Sequence, residues 1–286
     1  MRNRLLFAAL AAAALAVPAS ALTQLRGAVF VGDFDSGKTR PWMAQAANYG
    51  YQDNDVVHFG DINVDDQVVG QGRFSGRFTL PAWRGGKTRS QLITPRPVNA
   101  GGDDYYTLMF YVPHGWTAGT GSFWGVQIAQ VNFESLGPGG PTVALQLHAD
   151  HVTLVLQSGV TTKRFPYFQY RSNADSPGTP NVRPLYAIPR GMYTGVWHEL
   201  VLHCHWAGDD TGVVEVWHRR KGQTKWKQTV SLHGVATLQT ESDGSFPQRT
   251  LDDIQAYRGP STAPVTVWLD GFARLTSLEA AQSALP

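Results

Sequence analysis

The chain has 286 residues, with 24 Lys and Arg against 22 Asp and Glu, 30 glycines, 17 prolines and one cysteine. So small a charge imbalance excludes a strongly cationic nucleic-acid or membrane-surface binder, and a single cysteine excludes an intrachain disulfide framework. With 11% aromatics, many turn formers and few helical patterns, the composition indicates an all-β chain.

Residues 1–21 read as a signal peptide. Arg2 and Arg4 precede an apolar run over 5–17, and Pro18-Ala19-Ser20-Ala21 supplies the small residues of a cleavage site. Cleavage near Ala21 would remove Arg2 and Arg4 and leave 22 cations against 22 anions, a neutral secreted protein, extracellular or periplasmic. No later segment approaches the roughly 18 apolar residues of a membrane span.

Residues 22–286 read as one domain, without linker, composition shift or repeat. From 67 to 102 there is no Asp or Glu, while Arg73, Arg77, Arg84, Lys87, Arg89 and Arg96 all fall there. A second acid-poor stretch carries Lys163, Arg164, Arg171, Arg183 and Arg190. Each stretch is either a solvated face or a groove for an anionic polymer. Strands are predicted at 105–112, 123–132, 142–148, 151–157, 197–206, 212–218, 225–232 and 265–272, with a short helix over 277–284. In 197–206, alternation sets Glu199, Val201, His203 and His205 against an apolar face of His198, Leu200, Leu202, Cys204 and Trp206. Cys204 therefore reads as a buried small apolar residue. The expected architecture is a jelly roll of two antiparallel sheets, one face of which binds an extended ligand.

Several segments in order resemble the heparin-lyase-like and glucuronan-lyase-like polysaccharide lyases, which have a concanavalin-like sandwich. They are Tyr105-Tyr106 through Tyr111-Val112-Pro113-His114-Gly115-Trp116, Ile128-Ala129-Gln130, the paired strands 197–206 and 212–217, Ala256-Tyr257-Arg258-Gly259-Pro260, and Val267-Trp268-Leu269-Asp270-Gly271. The likeness runs from about residue 31 to 274. It implies cleavage of a uronic-acid-containing polysaccharide by β-elimination.

That chemistry needs a donor set that neutralises the uronate carboxylate, a base for the C5 proton and an acid for the leaving oxygen. The resemblance places Tyr257 as base, acid or both, Gln130 as carboxylate ligand and Arg89 as a guanidinium fork for an anion. Gln91, Asn132, Arg258, His203 and His205 are the further candidates for substrate binding. Arg89 or Arg258 beside Tyr257 would favour its phenolate. The sequence departs from the family pattern twice. Asn132 stands where a histidine is frequent, and Asp253 where a lysine is frequent. Those departures argue for a glucuronan- or alginate-like polymer over heparin, and leave His58, His114, His203 and His205 as alternative proton carriers.

No cofactor or catalytic metal is expected. His203 and His205 lack a third ligand with convincing spacing, and Asp209-Asp210 is an unspecific cue for a structural calcium. The expected partner is an acidic polysaccharide, not nucleic acid or membrane, bound by a monomer. Two other readings stay open. One is a carbohydrate-binding sandwich without activity. The other is a glycoside hydrolase of the same fold, disfavoured because only five glutamates are present and no strand shows a closely spaced Glu-x-Asp-x-x-Glu pattern.

Overall fold

The computed structural model describes residues 27–39, 42, 44–45, 57–97, 99–118, 125–133, 142–157, 159–160, 185–240, 245 and 249–286. The expected leader and most of the second acid-poor stretch lie outside these residues.

The fold is the expected antiparallel β-sandwich. In spatial order the first sheet runs β15 (Lys227–Val235), β14 (Gly212–Arg220), β13 (Trp197–His205), β7 (Asp103–Tyr111), β18 (Val265–Leu275), β5 (Ser75–Leu80) and β4 (Asp61–Asp65), with β1 (Ala28–Gly32) also on β18. The second runs β12 (Leu185–Ile188), β10 (Val152–Leu156), β9 (Val143–Leu147), β8 (Val126–Phe133), β17 (Arg249–Arg258), β6 (Lys87–Pro97) and β2 (Ala44–Gln45), with β3 (Val57–Phe59) beside β6. A two-stranded parallel pair, β11 (Gly159–Val160) and β16 (Gln239–Thr240), stands apart. All eight predicted strands are present, with ends shifted by a few residues.

Alternating apolar residues turn inward from both sheets to form one core. Phe78, Leu80, Phe110, Leu200, Trp206 and Val267 meet Leu92, Ile128, Leu145, Leu154 and Ile254. Burying each such side chain contributes about 1.5–3 kcal/mol. Cys204 joins this core, and burial holds its thiol well above its usual range, which makes it a packing residue. A cavity of about 20 Å³ remains between the sheets, lined by Leu108, Ala129, Val143, Leu145, Leu200 and Phe272. It is too small and too apolar to receive a sugar.

The outer face of the first sheet is covered by α1 (Leu278–Ala284), capped by Ser277, whose hydroxyl accepts from Ala280 N at 3.2 Å. Ala281 and Ala284 pack on Val201, Ala273 and Leu275. Beside them, Arg219 bonds the buried Glu199 and donates to Leu285 O at 3.0 Å.

Charge also enters the interior. Arg274 of β18 is 2% exposed and grips Asp104 of β7 through two bonds, Nε to Oδ1 at 2.9 Å and Nη2 to Oδ2 at 2.6 Å. Across the gap between the sheets its Nη1 reaches Thr250 Oγ1 at 3.2 Å and Asp252 Oδ2 at 3.5 Å, both on β17. Gly271, at φ 58°, creates the irregularity in β18 that lets Phe272 and Arg274 turn inward after Leu269. Arg274→Met would strand two buried carboxyls, so we expect a loss of about 3–5 kcal/mol in urea denaturation.

A second inward pair is His198 and His218, whose Nδ1 and Nε2 lie 2.9 Å apart while His198 Nε2 bonds Tyr193 O at 2.7 Å. Burial lowers both pKa values, that of His218 to about 3. The unfolded chain therefore takes up protons as pH falls below about 6.5 while this pair stays neutral, and its contribution to stability is lost on acidification. Asp252, Asp253 and Asp270, raised by burial to about 6, 8 and 7, act in the opposite direction. The check is thus a difference: between pH 7 and pH 5, His218→Leu should lose less stability than the unsubstituted protein.

Candidate functional site

The site follows from the two faces of β17. Asp252, Ile254, Ala256 and Arg258 point between the sheets, so alternation turns Leu251, Asp253, Gln255 and Tyr257 to the outer face of the second sheet. On β6, Arg89 lies opposite Tyr257 and Gln91 opposite Gln255. On β8, Gln127 lies opposite Tyr257, Gln130 opposite Asp253 and Asn132 opposite Leu251. Arg89, Gln91, Gln130, Asn132 and Tyr257 therefore share one face, as the sequence reading requires.

The guanidinium of Arg89 stacks over the ring of Tyr257, 4.4 Å from its centroid. Next to this pair the chemistry is carried by amides. Gln91 Nε2 donates to Asp253 Oδ2 at 2.7 Å, Gln130 Nε2 donates to the same oxygen, and Gln127 Nε2 donates to Gln130 Oε1. Gln127 and Gln130 are three residues apart and in a regular strand would face opposite ways. The register of β8 shifts between Gln127 and Ala129, and this bulge lets Ile128 and Ala129 both enter the core while the two glutamines meet outside.

From Tyr257 a line of polar groups crosses the sheet. Register pairs place Arg89, Tyr257, Gln127, Gln146, Thr153 and Tyr186 side by side on six neighbouring strands. At about 4.8 Å per strand the line is about 24 Å long. At its far end His148 Nε2 lies 3.2 Å from Thr153 Oγ1, and His151 stacks on His148 and meets Tyr186 edge-on. Although this face looks away from the core, Gln91, Gln127, Gln130, Gln146, Asp253 and Gln255 are all buried, so it is recessed. Among the described residues, Gln91 Oε1, Gln146 Oε1, Asp253 Oδ1 and both amide atoms of Gln255 have no hydrogen-bond partner. These buried groups are left to bond water or a polar ligand. Burial pushes the Asp253 carboxyl up to about 8, against the lowering effects of Gln130, Arg89 and Gln91 and with a further raising effect from Asp252.

Three expected members do not join this cluster. Arg258 points between the sheets and donates to Ala118 O at 3.3 Å, Pro81 O at 3.1 Å and Ala263 O, so it ties loops together instead of flanking Tyr257. His203 and His205 lie on the outer face of the first sheet, across the core. His203 Nδ1 bonds Glu215 at 2.8 Å and its Nε2 bonds Asp103 at 2.8 Å, while His205 Nδ1 lies 3.1 Å from Asp103. His114 sits in the turn after β7, and the side chain of His58 lies outside the described residues. The acid-free stretch does not line one groove either, since Arg77 pairs with Asp65 on the first sheet and Arg96 stacks on Phe30 inside the sandwich. Asp209 accepts from Thr211 N at 3.0 Å and Oγ1 at 2.6 Å, closing its own turn. Among the described residues, no group of three or more His, Cys, Asp or Glu side chains is arranged to hold a metal ion.

Sequence reasoning did not single out Gln127, Gln146, Gln255, Tyr186 or His148, and treated Asp253 only as a departure. Period-two spacing of Gln146 with His148 was available as a signal; the partnership of Gln127 with Gln130 was hidden by the bulge.

No curated protein sequence matches the chain. Among solved structures, an endo-β-1,4-glucuronan lyase from the fungus Trichoderma reesei superposes with a TM-score of 0.59 at 18% identity, covering 89% of this chain and 98% of that one. A PL-14 alginate lyase from Aplysia kurodai gives a TM-score of 0.46 at 11% identity, over 76% of this chain and 87% of that one. The glucuronan lyase shares the fold. The family profile described as polysaccharide lyase matches residues 34–272, most of the sequence, and the chain therefore belongs to the polysaccharide lyase family.

Proposed function

We propose that this lyase cleaves a carboxylate-only uronate polymer of the glucuronan or alginate kind by β-elimination, with Tyr257 moving the proton. The observation that carries the reading is the stacked Arg89–Tyr257 pair at the head of a recessed polar line that crosses the second sheet. A polymer lying along that line meets a hydrogen-bonding or aromatic group at each strand. Its uronate carboxylate, turned along the strands, reaches toward Gln130 and Asn132.

In this arrangement the Tyr257 phenolate takes the C5 proton, the C5 electron pair forms the C4–C5 double bond, and the bond from C4 to the leaving oxygen breaks. The phenol formed returns its proton to that oxygen. The Arg89 guanidinium on the ring face compensates the phenolate charge, and the Gln130 amide, held against Gln127 opposite Tyr257, donates to the carboxylate as it gains enolate character, with Asn132 further along the strand. Asp253 and Tyr257 are four residues apart on β17, about 13 Å along the strand, so Asp253 acts on the carboxylate through the Gln130 amide and not by contact with Tyr257. Among the described strand residues of this face Asp253 is the one carboxyl, whereas glycoside hydrolysis needs two. The fold shared with a glucuronan lyase supports the choice of substrate, the cations among the described strand side chains of this face are Lys87 and Arg89, which argues against a heavily sulfated polymer, and the leader read at residues 1–21 fits export toward an external polymer.

Ultraviolet absorbance of the unsaturated ends should rise when the protein meets glucuronan or alginate. Tyr257→Phe should lower kcat by at least about 100-fold, and Gln130→Ala by about 100- to 1,000-fold. Flat absorbance with retained binding would make the protein a glycan-binding sandwich, and a preference for heparin in the same panel would overturn the substrate assignment.

A further inference from the structure

Asp253 stands at the meeting point of the amide network, and its surroundings are asymmetric. Oδ2 accepts from both Gln91 and Gln130, which orients the Gln130 amide with its nitrogen toward β17 and its oxygen toward Gln127. Oδ1 is buried and has no hydrogen-bond partner among the described residues. A carboxylate with one oxygen desolvated and unbonded is unfavourable, whereas a carboxylic acid with its proton on that oxygen leaves Oδ2 free to accept from both amides. The charged and titratable groups around it are few. Arg89 comes from β6, Tyr257 shares its face of β17, and Asp252 lies next to it on the opposite face; β8 and β9 bring Gln127, Gln130, Asn132 and Gln146.

We propose that Asp253 is a positioning residue that works as a neutral acid, clamping the Gln91 and Gln130 amides for a uronate carboxylate and repelling that carboxylate once it ionises. This rests on the functional reading above. The position counted as a lost family lysine is then a pH-dependent gate: the substrate anion binds beside a protonated Asp253 and is excluded by its conjugate base. The carboxyl titrates at about 8, which puts the gate on the alkaline side of neutrality.

The test uses the full protein and saturated oligoglucuronate and oligoalginate, with affinity measured by calorimetry between pH 6 and pH 9 and elimination followed in parallel. Affinity should be about tenfold weaker at pH 9 than at pH 7, the limit for exclusion by a group ionising near 8. In Asp253→Asn the same change of pH should alter affinity by less than about twofold, whatever its value at pH 7. A neutral oligosaccharide used as control should show no such trend. Should the Asn variant fail to fold, isotope-edited infrared spectroscopy of aspartate-labelled wild type supplies the second measurement. A carboxylic-acid band that disappears near pH 8, and shifts when the oligouronate binds, supports the proposal. Affinity that is flat across pH 7–9, an unchanged pH dependence in Asp253→Asn, or the absence of that band at pH 7 overturns it. Binding with this pH dependence but no elimination on any uronate polymer would sink the catalytic reading and leave the gate standing.

Discussion

The arrangement rests on one buried contact, the grip of Arg274 on Asp104 within the first sheet and on Asp252 across the core. Everything else about β17 follows from it. Holding Asp252 inward fixes the phase of the strand, and with a period of two the neighbouring Asp253, Gln255 and Tyr257 are forced outward. A slip of one residue would bury Tyr257 and expose Ile254. The ion cluster is thus less a source of net stability than a device that sets register. Trp206, donating to Asp104 at 2.7 Å, completes the same lock from the core side.

The face presented by that phase is unusual for a sheet surface, since its glutamines and Asp253 are buried while Arg89, Asn132, Tyr186 and Tyr257 are half-buried. Two local features shape it. The bulge in β8 brings Gln127 and Gln130 to one side, and the stack of His148, His151 and Tyr186 closes the far edge. The first sheet is treated in the opposite way. Its outer face is occupied by the terminal helix and by the His203, Asp103 and Glu215 network. The sandwich therefore has one outer face given largely to packing and one rich in buried glutamines, and the Arg89–Tyr257 pair belongs to the second.

The site also shows why substitution at two family positions need not empty it. Asn132 keeps a hydrogen-bonding group opposite Leu251, and Asp253 exchanges a mobile cation for a buried acid bonded to two glutamines. The balance shifts from charge neutralisation toward neutral donors. On the proposed reading, that change suits a ligand bearing one carboxylate per sugar better than one densely decorated with sulfates.

Much of this protein was legible in its sequence. Alternation over 197–206 predicted both faces of β13, because an apolar set and a polar set separate cleanly there, and strand-like patterning located seven other strands and the buried Cys204. The order of motifs pointed to the lyase family and to Tyr257, Gln130 and Arg89, and these three do share a face. Among the strands that composition and periodicity did not mark are β6 and β17, which carry Arg89, Gln91, Asp253 and Tyr257. Their buried faces hold Thr88, Ser90, Asp252 and Arg258, so the polar and apolar residues no longer alternate and the hydrophobic signal vanishes. Only tertiary structure decided that His203, His205 and Arg258 stand away from the site, that Gln127 reaches Gln130, and that Asp253 is buried against two glutamines. Each of these depends on which strands become neighbours and where a bulge falls. Those are long-range choices made by packing the whole core, beyond the reach of any pattern in a short stretch of chain.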